Sequence, residues 1–261
     1  MTSVWKGIEM NYCGKSDIGL KRSENQDSFA IEKIFDGALL AVVCDGMGGV
    51  AGGKIASELA VKTFIESVSC SLRSYINSPL DLSSESVKII EKILIEGAEK
   101  ANYKVFSAAK ENSELEGMGT TLTSALFIGE RVYLINVGDS RIYQYSDSLV
   151  QLTRDHSFIQ TLIEMGKISK EEAKDHPDKN VITRAIGIDD TVVPDTYTST
   201  AHRGDLFLLC SDGLCGYVDE RDIINTITDS RMDIIQKNTQ LIDLANQSGG
   251  NDNVTTVLVT Y

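Results

Sequence analysis

Four aspartates in this 261-residue chain stand beside glycine or asparagine where aliphatic runs begin or end. Asp45-Gly46 follows AVVC, Gly138-Asp139 follows LINV, Asp212-Gly213 follows LFLLCS, and Asp252-Asn253 comes just before VTTVLV. Taken singly, each is an ordinary turn, because Asp and Gly both suit tight loops. Their repetition carries more weight. If the aliphatic runs lie side by side as strands, their ends converge, and clustered carboxylates repel one another by several kcal/mol unless cations neutralise them. Oxygen-only donors suit hard octahedral ions such as Mg²⁺ or Mn²⁺. Zinc is disfavoured, since the chain has no H-E-x-x-H or cysteine pair and His156, His176 and His202 share no ligand spacing.

The glycine-rich stretch from Asp45 to Gly53 precedes a helical pattern, the arrangement of a phosphate-cradling loop. No Gly-Lys-Ser/Thr closes it, and a G-x-G-x-x-G reading needs a parallel βαβ context. A better use of the glycines is a turn through positive φ that sets a backbone carbonyl beside the Asp45 carboxylate. Close packing of helix on sheet is the alternative. Upstream, Arg22-Ser-Glu-Asn-Gln-Asp27 puts a guanidinium and a carboxylate five residues apart, just before a strand. A solvated loop is the plain reading of that segment. Placed beside the carboxylates, Arg22 would offer a planar fork to phosphate oxygens, and Asp27 would hold metal-bound water through a hydrogen bond.

The elements that must position these residues follow from periodicity. Strands are expected at Ala38 to Cys44, Thr121 to Ile128, Arg131 to Val137, Arg141 to Tyr145, Asp205 to Cys210 and Val254 to Tyr261. The Gly138-Asp139-Ser140 link suits an antiparallel hairpin between the third and fourth of these. Long helices are expected at Lys54 to Ile76 and Ser84 to Lys110. Shorter ones are expected at Phe158 to Met165, Lys170 to Lys174, Asp219 to Ile227 and Met232 to Ala245. Segregated runs of strands and helices predict an α+β layered sandwich with mainly antiparallel sheets.

Composition bounds the function. A chain of this length buries roughly 70 to 75% of its unfolded surface and needs no disulfide or structural metal to obtain a core. With 25 basic and 38 acidic residues its formal charge is −13, which argues against a binder of nucleic acid or anionic membrane. No signal peptide, membrane span, repeat or linker is visible, so a single domain over residues 1–261 and a cytoplasmic location are expected. The five cysteines form no C-x-x-C pair, and Cys44, Cys210 and Cys215 read as small buried apolar groups.

The ordered set RSENQD, CDGMGG, GMGTT, NVGDSR, TRDHS, NVITRAIG, CSDGL and GGNDNVT resembles the motif series of the metal-dependent protein phosphatase 2C-type Ser/Thr phosphatases in their compact bacterial form. The resemblance runs from about Ser16 to Val259. It implies a four-layer α-β-β-α sandwich with a binuclear Mn²⁺/Mg²⁺ centre at one end of the two sheets. By motif, Asp45 would bridge both ions, the Gly46 carbonyl would bind one, and Asp212 and Asp252 would bind the other. Asp139 would join Asp212 at a weaker third ion. Arg22 matches the phosphate-binding arginine, Asp27 an acid behind the metal ligands, and Asn253 follows the Asp252 ligand. Residues from about 156 to 180 match a mobile flap that influences substrate choice.

The implied reaction is direct hydrolysis of phosphoserine and phosphothreonine on proteins, opposing a bacterial Ser/Thr kinase, by a monomer. Two ions about 4 Å apart would lower the pKa of a bridging water, giving a hydroxide in line with phosphorus. Three positions depart from the pattern. Met47 and Val50 stand where relatives carry a histidine, and Gly216 stands where animal members carry an extra acidic ligand. His156 is a candidate general acid, set against a hydrogen-bonded structural role, which is the reading preferred here. A pseudophosphatase would lack a carboxylate among Asp45, Asp212 and Asp252, and all are present. A phosphatase dedicated to one regulator is the other rival.

Overall fold

The computed structural model describes residues 10–49, 52–75, 84–174 and 176–261. The strands are β1 (Asn11–Asp17), β2 (Asp27–Phe35), β3 (Ala38–Met47), β4 (Gly119–Thr120), β5 (Leu122–Ile128), β6 (Arg131–Val137), β7 (Arg141–Tyr145), β8 (Leu149–Gln151), β9 (Asp195–Thr200), β10 (Leu206–Cys210) and β11 (Val254–Thr260). The helices are α1 (Gly52–Tyr75), α2 (Ser84–Glu111), α3 (Phe158–Glu164), α4 (Lys170–Lys174), α5 (Asp212–Cys215), α6 (Glu220–Thr228) and α7 (Ile234–Gln247).

One sheet has the order β1-β11-β10-β7-β8 and the other β2-β3-β5-β6-β9, with β4 paired to the far end of β3. Every pairing is antiparallel. The interior strands read as unbroken aliphatic runs because both of their faces are covered. Along β3, Leu40, Val42 and Cys44 enter the core beneath α1 and α2, while Leu39, Ala41 and Val43 enter the core between the sheets. On β10, Leu206, Leu208 and Cys210 face the layer that contains α6 and α7, and Phe207 and Leu209 face inward. Helix α1 buries Ala56, Ala60, Phe64, Val68 and Leu72, a spacing that stacks side chains on one helical face, in the core it shares with α2 and the sheet. Phe127 and Phe207 meet edge to face between the sheets, with centroids 5.1 Å apart and planes at 82°. The order of layers is helices, sheet, sheet, helices, as the family resemblance implied.

The expected hairpin is not formed. β6 bonds to β5 and β9 in one sheet, whereas β7 bonds to β10 and β8 in the other. The short link suits a corner between sheets as well as a hairpin, and Gly138, at φ +110°, turns that corner. Ile76, the expected last residue of the first long helix, lies outside the described residues, as does Val50. Among the described residues no helix is long and apolar enough to cross a membrane.

Candidate active site

Arg22, Asp45, Gly46, Asp139, Asp212, Asp252 and Asn253 line one cleft of about 320 Å³, together with Gln26, Thr121, Asn180 and Ile182. Asp45 lies near the end of β3, where its N–H donates to Thr121 Oγ1 at 2.8 Å and its carbonyl accepts from Thr120 Oγ1 and Thr121 N, each at 2.8 Å. Thr121 Oγ1 also bonds Ser140 Oγ at 2.8 Å, which ties the Asp45 backbone to the turn that carries Asp139. Asp212 opens α5 directly after β10, and Asp252 precedes β11.

Gly46 corrects one expectation. It stays in the strand with no positive φ, and the left-handed turn falls instead at Gly48 and Gly49. What Gly46 requires is close approach, since a Cβ there would stand 2.0 Å from the Gly53 carbonyl oxygen and 2.6 Å from that of Gln26. Asn253 works through its amide. Its Oδ1 accepts from Gln26 N at 2.8 Å, and its Nδ2 donates to the carbonyls of Ile18 at 2.9 Å and Glu24 at 3.0 Å. The loop that bears Arg22 is thereby fastened to the start of β11.

Asp27 does not line the cleft. It pairs in register with Asp45, and its Oδ2 accepts from Ser211 Oγ at 2.7 Å. Burial pushes its carboxyl up to about 7, against the pull of Ser211 and Thr255. Burial likewise pushes Asp139 up to about 8, helped by the charges of Asp212 and Asp155. Asp45 is raised well above the carboxylate range by burial, then by Asp27, Asp212 and Asp139. Asp212 is raised by burial and by Asp252. Burial and mutual repulsion therefore favour the protonated carboxyls, and a cation among them would relieve both.

Two features fit hard cations here. The lining acids supply oxygen donors, and Asp212 Oδ1 and Asp27 Oδ1 are buried without hydrogen-bond partners, each a cost that a cation or its water would remove. The cluster is not already drawn around a single point. Among the described residues no three acidic, histidine or cysteine side chains stand ready to hold one ion. Both oxygens of Asp252 are engaged, Oδ2 by Arg22 Nη2 at 2.8 Å and Oδ1 by Asn253 N at 2.9 Å.

His156 is almost fully buried and is not part of the cleft wall. Gly138 N donates to its Nδ1 at 3.2 Å, and its Nε2 lies 3.1 Å from Asp195 Oδ2, contacts that favour the structural role over the general-acid one. Gly216 closes α5 with its N–H on the Asp212 carbonyl at 2.7 Å. Thr121, Gln26, Asn180 and Ile182 also line the cleft, and residue type alone does not single them out. They lie inside or beside the quoted motifs GMGTT, RSENQD and NVITRAIG, which was the only signal for them.

The chain matches the family model for protein phosphatase 2C over residues 13–254. It is 37% identical over 253 residues to the serine/threonine protein phosphatase PstP of Mycobacterium tuberculosis, a match that covers 96% of this chain but only 45% of that protein's length. The serine/threonine phosphatase of S. agalactiae superposes with a TM-score of 0.85 at 33% identity, covering 97% of this chain and 99% of that one. The catalytic domain of PstP in complex with two manganese ions superposes with a TM-score of 0.75 at 33% identity, covering 96% and 97%. A match over nearly the whole chain, joined to a sandwich of the same shape, shows that this chain belongs to the protein phosphatase 2C family.

Proposed function

We propose that this chain is a phosphoprotein phosphatase that hydrolyses phosphoserine and phosphothreonine with Mn²⁺ or Mg²⁺, held by Asp45, the Gly46 carbonyl, Asp212 and Asp252, with Asp139 contributing to a weaker third position. The observation that carries this reading is the meeting of four sequence-distant aspartates and one arginine at a single cleft. The manganese pair in the PstP catalytic domain supports the choice of ion. When bound, such ions would supply a Lewis acid that lowers the pKa of water toward neutrality, the chemistry that hydrolysis at phosphorus needs.

The chain's own residues do the remaining work. Arg22 offers two parallel N–H donors to phosphate oxygens and spreads the charge that builds on them during transfer. Asp27, with one oxygen fixed by Ser211, keeps the other for a hydrogen bond from water behind the ligands. Neither Met47, a thioether, nor His156, enclosed with both ring nitrogens engaged, donates the proton to the leaving serine or threonine oxygen. Residues 156–180, which include α3 and α4, act as a flap that biases substrate choice. The whole span works as one catalytic domain, monomeric and cytoplasmic, opposed by a Ser/Thr kinase.

The test is hydrolysis of an aryl phosphate and of phosphoserine peptides with Mn²⁺ or with chelator, by the native chain and by Asp252→Ala. Hydrolysis that needs the cation and is lost in the variant is expected. Undiminished activity in chelator would overturn the proposal.

A further inference from the structure

The turn that carries Asp139 into the cleft is gripped from outside by residues 154–156. On one side of Asp139, the Gly138 carbonyl accepts from His156 N at 2.9 Å, and Gly138 N–H donates to His156 Nδ1 at 3.2 Å. Asn136 Nδ2 braces the same place by donating to the carbonyls of Gly138 and Arg154, each at 3.1 Å. On the other side, Arg141 donates to Asp155 from Nε at 3.0 Å and from Nη2 at 2.7 Å. The turn has little freedom of its own, since a Cβ on Gly138 would stand 2.5 Å from Thr121 Cγ2.

The ring of His156 faces two ways. Because Nδ1 accepts from Gly138, the ring proton sits on Nε2, which points to Asp195 Oδ2 at 3.1 Å. Arg184 Nη1 lies 3.2 Å from the same nitrogen, but a guanidinium only donates, so its bonds go to Asp195 Oδ1 at 2.7 Å and the Val193 carbonyl at 3.2 Å. Burial lowers the imidazole pKa and keeps the ring neutral, with its acceptor lone pair available. The following segment starts and returns here. Ser157 caps α3, Phe158 N donates to the Val181 carbonyl at 2.8 Å, and Thr183 N donates to the His156 carbonyl at 2.8 Å.

We infer that His156 is a positioning residue that fixes the Asp139 turn in the cleft and couples it to the 157–183 segment and to β9. Its effect on catalysis rests on the phosphatase reading given above; the mechanical link does not.

Two substitutions separate the halves of the link. His156→Asn leaves an acceptor near the place of Nδ1 but falls short of Asp195, whereas His156→Gln reaches toward Asp195 and leaves Gly138 N–H without its partner. Hydrogen exchange of the Gly138 amide is measured in the cation-free chain, with the Val42 and Val43 amides of β3 as internal controls. The Mn²⁺ concentration giving half-maximal hydrolysis of an aryl phosphate is measured alongside. His156→Gln and His156→Ala are expected to speed Gly138 exchange by about tenfold or more with β3 unchanged, and His156→Asn to stay within about threefold of native. The Mn²⁺ requirement should rise severalfold in the first two and recover in the third. Equal Gly138 exchange in the Asn, Gln and Ala variants would overturn the inference, as would loss of β3 protection in all three. A native chain without hydrolytic activity would instead sink the phosphatase reading, and the Gly138 exchange would still decide the link.

Discussion

Arg22 Nη2 and Asp252 Oδ2 lie 2.8 Å apart, so the group assigned to phosphate and a group assigned to the cation hold each other. The Arg22 side chain is 51% exposed, and such a pair contributes about 1 kcal/mol or less. On the proposed reading a divalent cation would compete for Asp252 and leave the guanidinium free. Inorganic phosphate is therefore expected to bind about tenfold or more tightly with Mn²⁺ than without it, within the ordinary range of coupled sites. Asp252→Ala should release Arg22 without any cation, and it should abolish hydrolysis while changing stability by about 1 kcal/mol or less. Titration calorimetry of both proteins measures the coupling, and phosphate affinity indifferent to Mn²⁺ and to the substitution would refute it.

The acidic wall predicts a pH dependence that the cation should remove. Asp139 titrates at about 8 and Asp27 at about 7 in the folded chain, against 3.8 for an ordinary aspartate. Between those values the cation-free native state binds more protons than the unfolded chain, so its stability falls as pH rises through that window. In chelator the melting temperature at about pH 8.5 should lie several degrees below that at about pH 5.5. Asp139→Asn should flatten the decline. Added Mn²⁺ should stabilise more at the higher pH, because it binds the deprotonated carboxylates. Scanning calorimetry at the two pH values checks all three statements, and a cation-free melting temperature that climbs with pH would contradict them.

Gly46→Ala tests the closeness of β3 to α1. The added methyl meets backbone oxygens of Gly53 and Gln26, neither of which is the far end of a flexible side chain. Overpacking of this kind costs about 1 to 3 kcal/mol. Urea unfolding should show that loss, together with a drop in hydrolysis greater than the fraction unfolded explains.

Phe127→Ala tests the seam between the sheets. Both Phe127 and Phe207 are fully buried, and deleting one ring of such a pair costs about 3 to 5 kcal/mol. The midpoint of denaturant unfolding should fall accordingly. A loss below about 1 kcal/mol would mean that the core closes over the gap.

The interior of each sheet was legible because its strands are covered on both faces. The runs around Val42, Phe127, Leu134, Leu208 and Val257 are buried throughout, and they could only be core. The edge strands β1, β8 and β9 gave no such signal. Half-exposed sequences such as NYCGKSD and DTYTST bury little and read as loops, and the fourth edge, β2, was anticipated only as a strand following Arg22. The corner at Gly138 was misread because a short glycine-containing link is compatible with either pairing, and only the partners β5 and β10 decide it. The convergence of Asp45, Asp139, Asp212 and Asp252 was legible because each borders an interior strand. The engagement of Asp252 by Arg22 was not, since it depends on a contact 230 residues apart in sequence.

β11 lies between β1 and β10, and its register joins Asn11 to Thr260 and Asp17 to Val254. Within this span β1 therefore waits for β11 before it has a partner in its sheet, and pairings this distant in sequence close slowly. A chain built only to residue 250 possesses α1, α2 and three of the four aspartates, but neither the strand that joins β1 to β10 nor Asp252. The stretch from Asp252 to Thr260 thus brings in the link between β1 and β10 and the fourth carboxylate together.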